Sequence, residues 1–89
     1  MKTVTIYRTQ HCPYCHLAAQ LLARKGVTAP NIIAVDADDT LRDEMVRRSG
    51  RRTVPQIFIG ETHVGGYDDL AALDRAGQLD PLLNGTQAA

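Results

Sequence analysis

The sequence predicts an α/β fold in the order β-α-β-α-β-β-α, a mixed four-stranded sheet with helices on both faces. Three observations predict it. A strand-like stretch and a helix-like stretch follow one another twice before residue 50. Next come two short strand-like runs joined by Gly60-Glu61, which reads as a hairpin. A last helical pattern follows a Gly-Gly corner. Such an order gives a right-handed βαβ unit, then an antiparallel hairpin and a helix.

Each element has its own signal. Val4 and Ile6 alternate with Thr3, Thr5 and Tyr7, a β-branched and aromatic strand. After the polar Arg8-Thr9-Gln10-His11, a helical stripe runs through Leu17, Ala18, Leu21 and Leu22 and stops at Lys25-Gly26. Asn31 to Val35 is nearly continuously apolar, the pattern of a buried parallel strand. Thr40 with Asp43 resembles a capping box opening a second helix with Leu41, Met45 and Val46. Acids at its start and Arg47 and Arg48 at its end suit the helix dipole, and Ser49-Gly50 ends it. Gln56 to Ile59 and Thr62 to Val64 are the hairpin strands. Asp68 and Asp69 are candidate caps for a helix bearing Leu70 and Leu73, and Asp80-Pro81 starts a last short helical piece.

The 89 residues are expected to form one domain spanning 1–89, with 84–89 a frayed tail. Ten Lys+Arg balance ten Asp+Glu, so no net field concentrates nucleic acid or an anionic membrane. Apolar runs are too short to span a bilayer, and Met1 to Arg8 has no signal-peptide pattern. A cytoplasmic location is therefore expected, where two cysteines serve redox chemistry or metal binding more readily than structural cross-linking.

The informative feature is Cys12-Pro13-Tyr14-Cys15, where strand and loop give way to helix. A thiol attacks as its anion, and a free cysteine titrates near ~8.5. Unpaired N–H groups and the dipole at a helix start favour a negative charge at Cys12. Pro13 suits the first helical position, since its missing N–H is not needed there. The spacing puts Cys15 about one turn on, within disulfide reach. Cys12 is thus expected to be the exposed nucleophile and Cys15 the less accessible resolving thiol. A structural staple is disfavoured, because so short a loop constrains little of the unfolded chain. Cys15-His16 completes a haem-attachment pattern, but that needs export. A zinc site from His11, Cys12, Cys15 and His16 would crowd four ligands into six residues, so no metal is expected.

Together, Cys12-Pro13-Tyr14-Cys15, Thr53-Val54-Pro55 and Gly65-Gly66-Tyr67-Asp68-Asp69 resemble the glutaredoxins, in particular the small bacterial dithiol type, over about Val4 to Leu83. The resemblance implies a thioredoxin fold, a cis peptide bond before Pro55, and thiol–disulfide exchange with glutathione as reducing co-substrate and no bound cofactor. Implied partners are glutathione and disulfide-containing or glutathionylated proteins, met by a monomer. The implied glutathione contacts are Tyr14, Arg52, Thr53, Val54, Pro55, Gly66, Tyr67 and Asp68.

These contacts have physical reasons. An extended peptide can exchange backbone hydrogen bonds with Val54. Gly66 permits close approach, and the helix start at Tyr67-Asp68 offers N–H groups to a carboxylate. Asp68 can accept an ammonium or simply cap its helix, and Arg52 can hold a second carboxylate. Many glutaredoxins have a lysine where this chain has Thr9, so Arg8 and His11 are the candidate charge partners of the thiolate or of a carboxylate. His63 is assigned no chemistry. Two other readings compete: a glutathione-assisted iron–sulfur cluster carrier, and a thioredoxin-like reductase served by a flavoprotein.

Overall fold

The alternation in the first strand, β1 (Val4–Arg8), places Val4 and Ile6 on one face and Tyr7 on the other, and the molecule is organised around that division. The computed structural model describes residues 1–85. After β1 come α1 (Pro13–Arg24), β2 (Asn31–Ala34), α2 (Asp39–Ser49), β3 (Gln56–Ile59), β4 (Thr62–Gly65), α3 (Tyr67–Arg75) and α4 (Leu79–Asn84). The sheet order is β2-β1-β3-β4. β1 runs parallel to β2 and antiparallel to β3, so that Ile6 lies between Ile32 and Ile57; β3 and β4 form the expected antiparallel hairpin.

Each face buries its own core. Val4, Ile6, Ile57 and Ile59 pack with Ala18, Leu21 and Leu22 of α1, Leu70 of α3 and the α4 leucines. On the other face Tyr7, Val35 and Phe58 meet Met45, the one fully covered residue of α2. Polar groups reinforce this smaller core. The Tyr7 hydroxyl donates to Glu44 Oε2 at 2.6 Å and accepts from Arg48 Nη1 at 2.7 Å, which ties α2 to the central strand. Burial, and then the bond to Glu44, raise the Tyr7 pKa, so the phenol stays neutral.

Four local expectations are corrected. The run from Asn31 is parallel as expected but, apart from Val35 just past its end, β2 is not buried: it is an edge strand, Asn31 is exposed and Ile32 is 46% exposed. Its apolar composition cannot distinguish a central strand from a rim strand, because that is set by which strands pair later. The second helix is capped by Asp38 rather than Thr40: Asp38 Oδ1 accepts the Thr40 N–H and hydroxyl, both at 2.8 Å. Those bonds hold the Asp38 carboxyl below the usual carboxylate range. The last helix begins at Leu79, just before Asp80-Pro81. Asn84 completes that helix and Gly85 caps it, so neither belongs to a frayed tail; residues 86–89 lie outside the described residues.

Candidate active site

The loop leaving β1 is held by Gln10, whose N–H donates to Asp36 Oδ2 at 3.0 Å, beyond the end of β2. It delivers Cys12 to the N-cap of α1 with extended backbone torsions (φ −138°, ψ 97°), and Pro13 occupies the first helical position. Cys12 Sγ accepts the backbone N–H of Cys15 at 3.1 Å. A side-chain acceptor at this place satisfies one of the donors that every helix start leaves open. In this protein the acceptor is sulfur. Cys12 and Cys15 are joined as a disulfide with Cα atoms 5.2 Å apart. Cys12 is half-buried at the surface, whereas Cys15 is 0% exposed beneath it.

Beside the pair lies a cleft of about 290 Å³. Tyr14 supplies one wall, Thr53, Val54 and Pro55 another, and Gly66, Tyr67 and Asp68 the start of α3. The Val54–Pro55 peptide bond is cis. Among the described residues no backbone hydrogen bond engages Val54, so its N–H and C=O are available to an incoming chain. The rings of Tyr14 and Tyr67 stand 6.2 Å apart, tilted by 32°. At the start of α3 the N–H groups of Tyr67 and Asp68 face no intrahelical acceptor, as at any helix N-terminus.

Seven residues expected to touch glutathione therefore line one cleft, but Arg52 does not. Arg51 lines it instead, with Nη1 at 3.0 Å from Asp69 Oδ2. Asp69 also accepts the Gly66 N–H at 2.9 Å, so it, and not Asp68, closes the helix start. The Gly66 N–H and then Arg51 hold the Asp69 carboxyl below its ordinary range. Arg52 is exposed, and its carbonyl accepts Arg42 Nη1 at 3.3 Å. Arg8 and His11 share a second, shallower groove with Cys12, Pro13 and His16. The Arg8 Nε–H donates to the Thr9 carbonyl at 3.3 Å. A third hollow, about 530 Å³, lies between Thr9, Gln10 and β2 and contains no cysteine.

Arg51 is not among the site residues the sequence predicts, whereas Asp69 is one of the two expected caps of α3 and takes that role. Its signal is the position three residues after Gly66, the spacing at which a carboxylate reaches back to the N-cap N–H. Gly65 is integral to this arrangement. Its φ of +115° is unfavourable for a side chain, and a Cβ would lie 2.9 Å from Asp69 Cγ and 3.1 Å from Arg51 Nη1. Gly65→Ala is expected to cost more than about 1 kcal/mol in urea unfolding. Because it displaces the Asp69–Arg51 pair at the cleft, it should also weaken substrate use, measured as a rise in KM.

An accessible sulfur at a helix N-terminus, covalently paired with a buried sulfur one turn along and set on an open-edged α/β sheet, defines a thiol–disulfide oxidoreductase. The glutaredoxin family model matches residues 4–64. A Pseudomonas aeruginosa glutaredoxin is 60% identical over 84 residues, covering 94% of this chain and 99% of that protein. Escherichia coli glutaredoxin 3 is 54% identical over 83 residues, covering 93% of this chain and 99% of its own length. The crystal structure of a buckwheat glutaredoxin–glutathione complex superposes with a TM-score of 0.85 at 28% identity, covering 96% of this chain and 79% of that one. The chain belongs to the glutaredoxin family of glutathione-dependent thiol–disulfide oxidoreductases, and its fold is the thioredoxin fold.

Proposed function

We propose that Cys12 is the nucleophile, Cys15 the resolving thiol, and the cleft between Tyr14, Val54 and Tyr67 the glutathione site. The observation that carries this reading is the asymmetry of the sulfurs: one lies at the helix N-cap beside the cleft, and the other is fully buried. Glutathione presents two carboxylates, an ammonium, backbone amides and a sulfur. The amides suit the free backbone of Val54. The γ-glutamyl carboxylate suits the N–H groups at Tyr67-Asp68, with Asp68 accepting the ammonium. Arg51 suits the glycyl carboxylate, since one of its five N–H donors engages Asp69 and the others can face the cleft. Tyr14 and Tyr67 cover the apolar stem of the peptide. Pro55, Thr53 and Gly66 shape its path.

In the reduced enzyme, the Cys12 thiolate attacks the glutathione sulfur of a mixed disulfide. A Cys12–glutathione bond forms, and the substrate departs as its thiolate. A second glutathione thiolate attacks the sulfur of the bound glutathione, releasing glutathione disulfide and regenerating Cys12. In the dithiol route Cys12 opens a protein disulfide. Cys15 then attacks Cys12 Sγ and frees the second substrate sulfur; two glutathiones supply the two electrons that reduce Cys12–Cys15. A lower thiol pKa helps Cys12 both to attack at neutral pH and to leave. The substrates are glutathionylated and disulfide-containing proteins. One chain carries every group the scheme uses, which supports action as a monomer, and the enzyme works in a reducing, glutathione-rich compartment such as the cytoplasm.

Alkylation of the fully reduced protein by iodoacetamide across a pH series, with mass spectrometry locating the label, tests the assignment. Labelling should begin on Cys12, have its midpoint below the ~8.5 of free cysteine, and slow in the presence of S-methylglutathione. First labelling at Cys15, a midpoint at the free-cysteine value, or no protection would each overturn it.

A further inference from the structure

Among the described residues Gln56 is the one buried polar side chain, 0% exposed at the start of β3. It shares a face of the strand with Phe58, so a residue able to pack there would ordinarily be apolar. Its amide is fully committed. Nε2 donates to the Thr53 carbonyl at 3.0 Å and to Thr53 Oγ1 at 3.2 Å, and Oε1 lies 2.8 Å from His63 Nε2. A carbonyl oxygen only accepts, so the amide NH₂ must be the end facing Thr53. Oε1 then faces His63, and His63 must carry its proton on Nε2. His63 reaches this position because it stands opposite Phe58 in the β3–β4 pairing, with its ring against Phe58 at 4.9 Å between centroids. Burial foremost, then the charge of Arg51, push the His63 pKa down; Asp69 opposes this and Arg48 reinforces it.

We infer that Gln56 and His63 are positioning residues for the glutathione site: the relay from His63 through Gln56 grips Thr53 and so fixes the backbone of Val54 in the cleft wall. This rests on the proposal that Val54 docks glutathione. Neither residue lines the cleft, so neither touches the substrate directly. A loop held at one carbonyl and one hydroxyl from behind cannot turn without leaving a buried amide unsatisfied, a penalty larger than the ordinary net worth of a hydrogen bond. The incoming tripeptide therefore meets a wall whose backbone is already in place, and does not pay for ordering it.

Two variants of His63 test the relay. His63→Leu keeps bulk against Phe58 but leaves Gln56 Oε1 without a donor, whereas His63→Gln restores a donor. With the mixed disulfide of glutathione and 2-mercaptoethanol as substrate, His63→Leu should raise KM roughly five- to tenfold while kcat stays within about twofold. His63→Gln should return KM to within about twofold of the parent. In the unliganded proteins, ¹⁵N relaxation should show Thr53 and Val54 more mobile in His63→Leu than in the parent or in His63→Gln. An unchanged KM in His63→Leu, equal impairment of both variants, or a parallel loss of kcat would overturn the inference. If the parent enzyme does not saturate with this substrate, the glutathione reading fails separately, and the relaxation data still decide the relay: equal mobility at Thr53 and Val54 in parent and His63→Leu refutes it.

Discussion

Cys12→Ser is expected to reduce turnover to background, both for glutathione mixed disulfides and for protein disulfides. In the proposed scheme both routes begin with the same event, attack by the thiolate of Cys12, which lies at the N-cap of α1. A serine oxygen at that place still accepts the Cys15 N–H and still caps the helix, so the fold should survive. Its hydroxyl is not ionised near neutral pH, however, and it cannot form the mixed disulfide through which exchange passes. The loss should therefore be chemical and complete, with thermal unfolding of the reduced proteins little changed. Assays with the glutathione–2-mercaptoethanol disulfide and with a disulfide-bonded protein, each coupled to glutathione reductase, measure it. Residual turnover that follows Cys15 would reverse the roles of the two sulfurs.

Cys15→Ser should split the two activities. The feature of Cys15 that supports the Cys12 sulfur is its backbone N–H, at 3.1 Å, and a serine supplies the same group. Deglutathionylation needs only Cys12 and one free glutathione besides the one the substrate brings, so it should remain within a few fold of the parent. Reduction of a protein disulfide that must be resolved internally should fall to background, because the buried sulfur that would attack Cys12 is gone. After exposure to glutathione disulfide, the variant should hold one glutathione on Cys12 by mass spectrometry, where the parent closes Cys12–Cys15. Loss of both activities together would show that the Cys15 sulfur is needed for the first attack, contrary to the proposed division of labour.

Much of this chemistry is legible in the sequence because it is local. Pro13 after Cys12, the three-residue spacing to Cys15 and the apolar stripe from Leu17 to Leu22 all lie within two or three turns of one helix. The hairpin about Gly60 and the helix after Gly66 announce themselves over similarly short distances. The cleft residues Thr53, Val54, Gly66 and Asp68 were legible differently, through motifs shared with the glutaredoxins. No periodicity links positions so far apart.

Other features depend on contacts between distant segments. Arg51 and Arg52 are adjacent and chemically identical; what turns Arg51 to the cleft is Asp69, eighteen residues on. Gln56 reads as an ordinary strand residue until β4 brings His63 against it and the preceding loop brings Thr53. Asn31 to Ala34 has the composition of an interior strand, yet among the described residues no strand pairs on its outer side. Hydrophobic period, helix caps and the cysteine pair act over a few residues, so the order of amino acids alone specifies them. The choice between two arginines, the purpose of a buried amide and the place of a strand in its sheet require partners that only chain folding brings together.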